Sequence, residues 1–250
     1  MPTRPNARSV ENGWTPVDDP IDRYSSGIPD FDRLLGGGFS RGSLALFDLD
    51  ESVGPAEWDL LFTPTLLNFL YQSRGILAVL PARDSPHAFR ERLTRFATKR
   101  RFDSRVRVVD YVGEDDGLPY VVSLKAPLPR EQMIARMEKA HRAAKGERQK
   151  PFLEVTSVEI LETLFGPDAA SKMYLHGVKR ARDVGNLVLG VLRPGLSAAP
   201  SLRAMADTEF HVRREEVGVV LRGIRPSFAN HVVIPDPSRP PPHVSFVPRP

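Results

Sequence analysis

The sequence predicts an α/β fold, a mostly parallel sheet with helices on both faces and an antiparallel β-hairpin toward the C-terminus. Three observations carry this. Short apolar runs (LALFDL at 44–49, GILAVL at 75–80, VRVVDYV at 106–112, NLVLGVL at 186–192) alternate with segments of helical period. That is the pattern of buried parallel strands joined by crossover helices. TEFHVRREEVGVVLRGI then switches to period two about Glu215–Gly218, which suits a hairpin. Finally, 250 residues with 41% hydrophobic and 26% charged content are enough for one large α/β domain with its own core.

Taken in order, residues 1–23 are polar and proline-containing and read as a loose arm, with the domain over 24–234. In SSGIPDFDRLLGGGFSRGS a short helix around Asp30–Leu35 is ended by a glycine turn. After strand 44–49 comes a helix from about Pro55 to Gln72. There Trp58, Leu61, Phe62, Leu66, Phe69 and Leu70 recur at helical spacing, and Pro64 is expected to kink it. Strand 75–80 leads into helix SPHAFRERLTRFATKR, with Ser85 as N-cap and Pro86 at the first helical position. A third strand (106–112), a turn, a short strand at VVSLK and a basic helix PREQMIARMEKAHRAAKG follow. PFLEVTSVEIL (151–161) holds a fourth main strand, and a helix around Asp168–Asp183 precedes strand 186–192. From 235 to 250 seven of sixteen residues are proline, which predicts an extended, mobile tail.

Composition narrows the function classes. With no cysteine there is no disulfide framework, thiolate metal site or Cys nucleophile. No run approaches 18 apolar residues and MPTRPNARSVENGW lacks a secretory apolar stretch, so a cytoplasmic protein without a membrane partner is expected. His141, His176, His211 and His231 show no paired metal spacing and read as incidental. The net charge of +4 is unevenly placed. Residues 87–107 carry eight Lys/Arg against Glu91 and Asp103, and 130–150 carry seven against three acids. Such stretches are either solvated helix faces or surfaces for nucleic acid, acidic protein or anionic lipid. Few aromatics interleave them, which weakens a single-strand stacking role.

SSGIPDFDRLLGGGFSRGSLALF resembles the entry to the RecA-like domain of the KaiC family. GILAVLPARDSPHAFRERL, FLEVTSVEILETLFG and the late stretch through LRGIRPSFANHVVIPD agree in order, the last also resembling archaeal members and the gas-vesicle regulator GvpD. The resemblance runs from about residue 25 to 236. It implies a RecA-like sheet and, in the family, ATP with Mg²⁺ held between subunits of a ring.

Position by position, the phosphate machinery implied by that resemblance is altered. A Walker A loop needs small residues whose N–H groups curl around phosphates, a lysine, and a Ser/Thr hydroxyl on Mg²⁺. Here Leu49 stands for the first glycine, Asp50 and Glu51 fall in the loop, Gly54 keeps the second glycine, Pro55 replaces the lysine and Ala56 the hydroxyl. Two like unit charges 5 Å apart repel by roughly 3 kcal/mol at an effective dielectric near 20, so a triphosphate is disfavoured beside Asp48, Asp50 and Glu51. Glu57 in the first helical turn is placed to occupy the positive end of the helix dipole itself. The acids that would polarise the attacking water fall on Arg83 and Asp84; arginine stays protonated, leaving Asp84 as the one retained candidate acid or an ordinary capping acid. The Walker B aspartate falls on Thr156, with Glu154 two residues earlier on the same strand face. Ala206-Asp207 matches a family "AD", read as structural. Arg222 and Arg225 sit where relatives present basic residues to a neighbour's nucleotide, and are expected to pair with Asp48, Asp50 or Glu51 across an interface.

The leading reading is a catalytically inactive RecA-fold homologue, needing no cofactor, that regulates or scaffolds through a protein partner, either an active KaiC-like relative or a second copy. The alternatives are an ATP-binding or weakly hydrolysing protein with a cation supplied from elsewhere, and a nucleic-acid-binding RecA-like protein.

Overall fold

The computed structural model describes residues 14–81, 84–111, 117–124, 129–145, 151–236, 238–239 and 242–249. Elements follow in chain order. A two-residue strand β1 (Arg23–Tyr24) precedes helix α1 (Pro29–Leu34) and strand β2 (Phe39–Ser40), and β1 and β2 pair antiparallel. Next come β3 (Leu44–Leu49), α2 (Pro55–Tyr71), β4 (Ile76–Val79), α3 (Pro86–Thr94), α4 (Lys99–Arg105), β5 (Val106–Asp110) and β6 (Val121–Ser123). Then follow α5 (Arg130–Lys145), β7 (Leu153–Ser157), α6 (Val158–Phe165), α7 (Pro167–Val184), β8 (Leu187–Leu192) and α8 (Ala199–Met205). The chain closes with β9 (Thr208–Glu215), β10 (Gly218–Arg225), β11 (Phe228–Pro235) and β12 (Val244–Pro248).

The main sheet has ten strands in the order β12-β11-β10-β9-β3-β8-β7-β4-β5-β6. From β9 to β6 the pairings are parallel, and β10, β11 and β12 extend the β9 side antiparallel. Alternation along each strand divides the interior in two. Ala45, Phe47 and Leu49 of β3 join the core beneath α1–α4, whereas Leu44 and Leu46 join the core beneath α5–α8. On β7, Leu153 and Val155 point to the first face, so Glu154 and Thr156 point to the second.

The entry motif is a rivet. Buried Asp32 accepts hydrogen bonds from Ser25 Oγ (2.5 Å), Ser26 Oγ (2.6 Å) and the Ser26 N–H (2.8 Å). Thr65 of α2 in turn donates to the Ser26 carbonyl (2.9 Å), locking α1 against α2. Gly38, at φ +106, lets the turn pass the Tyr24 carbonyl, where a Cβ would lie 2.4 Å from the oxygen.

Several expectations change. Residues 1–13 of the expected arm lie outside the described residues, but 14–23 are packed. Trp14 is buried and stacks on His243 at 4.7 Å, the Val17 N–H donates to Asn68 Oδ1 (2.8 Å), and Asp19 pairs with Arg74. An indole and a buried ion pair tie this segment down. The proline-rich tail contributes β12, because Val244 and Phe246 alternate inward and Phe246 stacks on Phe31 at 4.7 Å. Helix 85–100 is two helices. Ser85 caps α3 by accepting from the Ala88 N–H, and Thr98 caps α4 by accepting from the Arg101 N–H. Pro64 lies inside an uninterrupted α2.

Candidate functional site

At the C-terminal edge of the parallel strands, the usual ligand position in such sheets, lies a cleft of about 520 Å³. It is bounded by the β3–α2 loop, the residues after β4 and β8, and the first turn of α6. Glu51, Gly54, Pro55, Asp84, Glu159 and Arg193 all face it.

The loop is closed by its own side chains. Glu57 Oε2 accepts the Gly54 N–H at 2.9 Å, and its Oε1 pairs with Arg214 Nη1 at 2.9 Å. Pro55 opens α2 without an N–H to offer. The carboxylate of Asp50 accepts the Ser52 N–H (2.9 Å), which holds it below the usual aspartate range. Arg193 Nη1 donates to the carbonyls of Asp50 (3.0 Å) and Val53 (2.8 Å), and Ser52 Oγ accepts the Arg214 N–H (3.1 Å). Glu51 is exposed at the mouth.

Asp84 lies in the cleft, yet Arg92 takes both its oxygens and also reaches Asp59 at 3.0 Å. Burial opposes the charge on Arg92, but the two carboxylates outweigh it and its pKa is raised. Asp59 is pushed up by burial against that same arginine. Both Asp84 oxygens are thus engaged by arginine, and the cap of α3 is Ser85 rather than Asp84. Arg83 lies outside the described residues. Leu49 is fully buried in the α1–α4 core, and Ala56 is exposed on the first turn of α2.

Thr156 is fully buried on the opposite face from α2. It donates to Glu154 Oε1 (3.2 Å), and its carbonyl accepts the Tyr174 hydroxyl (3.1 Å). Glu154 is therefore no stand-in acid for the cleft. Its Oε2 lies 3.0 Å from His141 Nε2, and His141 Nδ1 lies 2.8 Å from the Met137 carbonyl. Burial works against His141's charge and Glu154 for it, with the net direction up; Glu154 is held down by His141 against its own burial. His141, read as incidental, is thus the counter-charge of a buried acid.

Within the chain Asp48 pairs with Arg203 Nη2 (2.6 Å), whereas the pairing expected of Arg222 and Arg225 across an interface involves a second chain. Arg203 also approaches Glu209 (3.4 Å). Arg225 donates to the Ala206 carbonyl, and Arg222 is exposed on β10. Asp207 is structural as read, accepting the Leu44 N–H (2.9 Å) and holding the start of β3 beside β9.

Comparisons with known proteins agree with this frame. Residues 13–127 match a family model described as GvpD basic region 2. Protein GvpD2 of Halobacterium salinarum is 29% identical over 233 residues, covering 86% of this chain and 45% of that protein. Protein GvpD1 of the same organism is 35% identical over 104 residues, 41% of this chain and 19% of that one. The chain thus spans less than half the length of the curated relatives it matches. A KaiC-like protein of Pyrococcus horikoshii superposes with a TM-score of 0.62 at 14% identity, over 92% of this chain and all of that one. An uncharacterized P. horikoshii protein, solved with an unknown peptide, gives 0.61 at 16% identity, over 91% and 100%. The chain is thus similar in sequence to GvpD proteins and has the RecA-like fold of the KaiC-like structure.

Sequence reasoning missed the arginines that hold this cleft. Arg193 had a usable signal: it directly follows β8, the parallel neighbour of β3, so both strand ends reach one edge. Arg203 and Arg214 had none, since their partners are 155 and 157 residues away in the chain. In the basic stretch 87–107 much of the charge is structural. Arg90 forks Asp103 (2.7 and 2.8 Å), Arg101 stacks over Tyr71 at 4.4 Å, and Arg105 donates to the Ser73 carbonyl (2.7 Å). Arg95, Lys99 and Arg100 remain on the surface. Among the described residues no helix is long and apolar enough to cross a membrane.

Proposed function

We propose that this GvpD-like chain is a regulatory RecA-fold protein that has given up ATP turnover and acts by binding another protein. The observation that carries this reading is Glu57 seated on the Gly54 N–H, the donor that a phosphate would need. A triphosphate entering the cleft must displace a carboxylate already held by Arg214, approach Glu51, Asp84 and Glu159, and do so without a loop lysine or a hydroxyl for Mg²⁺. The altered Walker A positions Leu49, Pro55 and Ala56 and the Walker B position Thr156 belong to the same reading. Likeness to GvpD, a gas-vesicle regulator, supports the regulatory role. Isothermal titration of the chain with ATP and Mg²⁺ tests it. No saturable heat up to millimolar nucleotide is expected, and micromolar binding overturns it.

Arg193 favours one second reading, a nucleotide binder with an unorthodox loop, because it brings a cation to the β3–α2 turn. Under that reading Arg193→Ala abolishes nucleotide binding; under the first there is none to abolish. A nucleic-acid role has less support, since much of the 87–107 charge is spent inside the fold.

A further inference from the structure

Between α5 and α7, on the face of the sheet opposite α2, runs a groove of about 320 Å³, within the range of small-molecule sites. Its walls are apolar, with Ile134 and Met137 of α5 facing Met173 and Val178 of α7, and the His141–Glu154 pair lies at its floor. That pair is balanced while His141 is protonated. At the rim, Glu138 approaches Arg142 (3.7 Å). Lys172, His176 and Arg180 recur every four residues along one face of α7, all exposed, and neither Lys172 nor Arg180 makes an ion pair among the described residues. Lys172 and Arg180 thus place positive charge along one side of the groove, over about 12 Å of helix, with Arg180 also acting on the His141–Glu154 pair.

Gly177 is the second observation. A glycine inside an 18-residue helix is unfavourable relative to alanine, and it is ordinarily found where another group comes close. Gly75, in the loop before β4, shows such a close approach elsewhere in the fold, since a Cβ on it would lie 1.8 Å from the Ala144 carbonyl oxygen. Gly177 does not: a Cβ there would meet nothing within 4 Å, although the residue lines the groove. The space beside it is left open by the protein's own atoms.

We infer that this groove binds a small amphiphile, an apolar chain lying over Gly177 between Met137 and Met173 with one anionic head, a carboxylate or a phosphate, against Lys172 or Arg180. The inference is independent of whether the phosphate-loop cleft is inert. It is tested by titrating the intact chain with decanoate and with decyl phosphate below their micelle concentrations, and with uncharged 1-decanol. One saturable site is expected, with at least one of the anionic probes binding tenfold or more tighter than the alcohol, and the tighter of the two identifies the head group. Gly177→Leu fills the space and is expected to weaken binding at least tenfold, whereas Gly177→Ala retains it. Lys172→Glu with Arg180→Glu, both surface changes, is expected to abolish the preference for the anionic probes and leave 1-decanol unchanged. Absence of saturable binding by either anion overturns the inference and leaves the groove to a protein segment. So does binding that neither Gly177→Leu nor the double reversal alters.

Discussion

Two places in this molecule hold carboxylates, the β3–α2 loop and strand β7, and they solve the problem of charge differently. In the phosphate-loop cleft the acids are partly solvated, and arginines from distant elements or loop N–H groups meet Asp48, Asp50, Glu57 and Asp84. Under the sheet, Glu154 is shut away beside Thr156, and its close ionic partner is a histidine whose charge depends on pH. The difference teaches that an acid near a motif position has no fixed meaning. At the sheet edge it accepts the loop's own N–H groups; one layer inward it becomes part of the core, where removing its partner is costly.

The largest test breaks the inner pair. His141→Ala leaves Glu154 buried without a counter-charge and is expected to destabilise the fold by about 3–5 kcal/mol, read by urea unfolding at pH 6. The pair also predicts a pH profile. His141's folded pKa is raised above 6.5, so its contribution is complete below pH 6.5 and lost as pH rises through the folded value. Glu154's is lowered from 4.5, so its contribution is complete above pH 4.5 and lost as pH falls through the folded value. The pair's stabilisation is thus greatest between pH 4.5 and 6.5, and His141→Gln is expected to flatten the alkaline limb of a thermal-melt series.

At the cleft the effects are smaller. Glu57→Ala removes the acceptor of the Gly54 N–H and is expected to cost about 0.5–2 kcal/mol by chemical denaturation. Gly177→Ala on α7 is expected to stabilise by up to about 1 kcal/mol, because its methyl group meets open space, and a rise in melting temperature checks it. Arg214→Ala, whose side chain is 61% exposed, is expected to change stability by less than about 1 kcal/mol; a loss as large as that of His141→Ala would erase the contrast between the two sites.

Much of this was legible beforehand. The order of strands and helices followed from period and capping, and Glu57's place on the loop followed from its position in the first turn. The break between α3 and α4 was not read, because Thr98's capping signal is embedded in a basic run. Helix α6 was not read as a separate element, because VEILETLF follows β7 with no breaker between them. The tail was read from its prolines, and the apolar alternation of Val244 and Phe246 that makes β12 was outweighed.

The sequence by itself determined the layered α/β frame and the acids at the phosphate turn, because periodicity, caps and loop composition are local properties of the chain. Only the tertiary structure decided which arginine meets which acid, that Thr156 and Glu154 face α5 and α7, and that a groove stays open beside Gly177. Those depend on strand order and on which side of the sheet each helix crosses, and they join residues that adjacency in the chain does not relate.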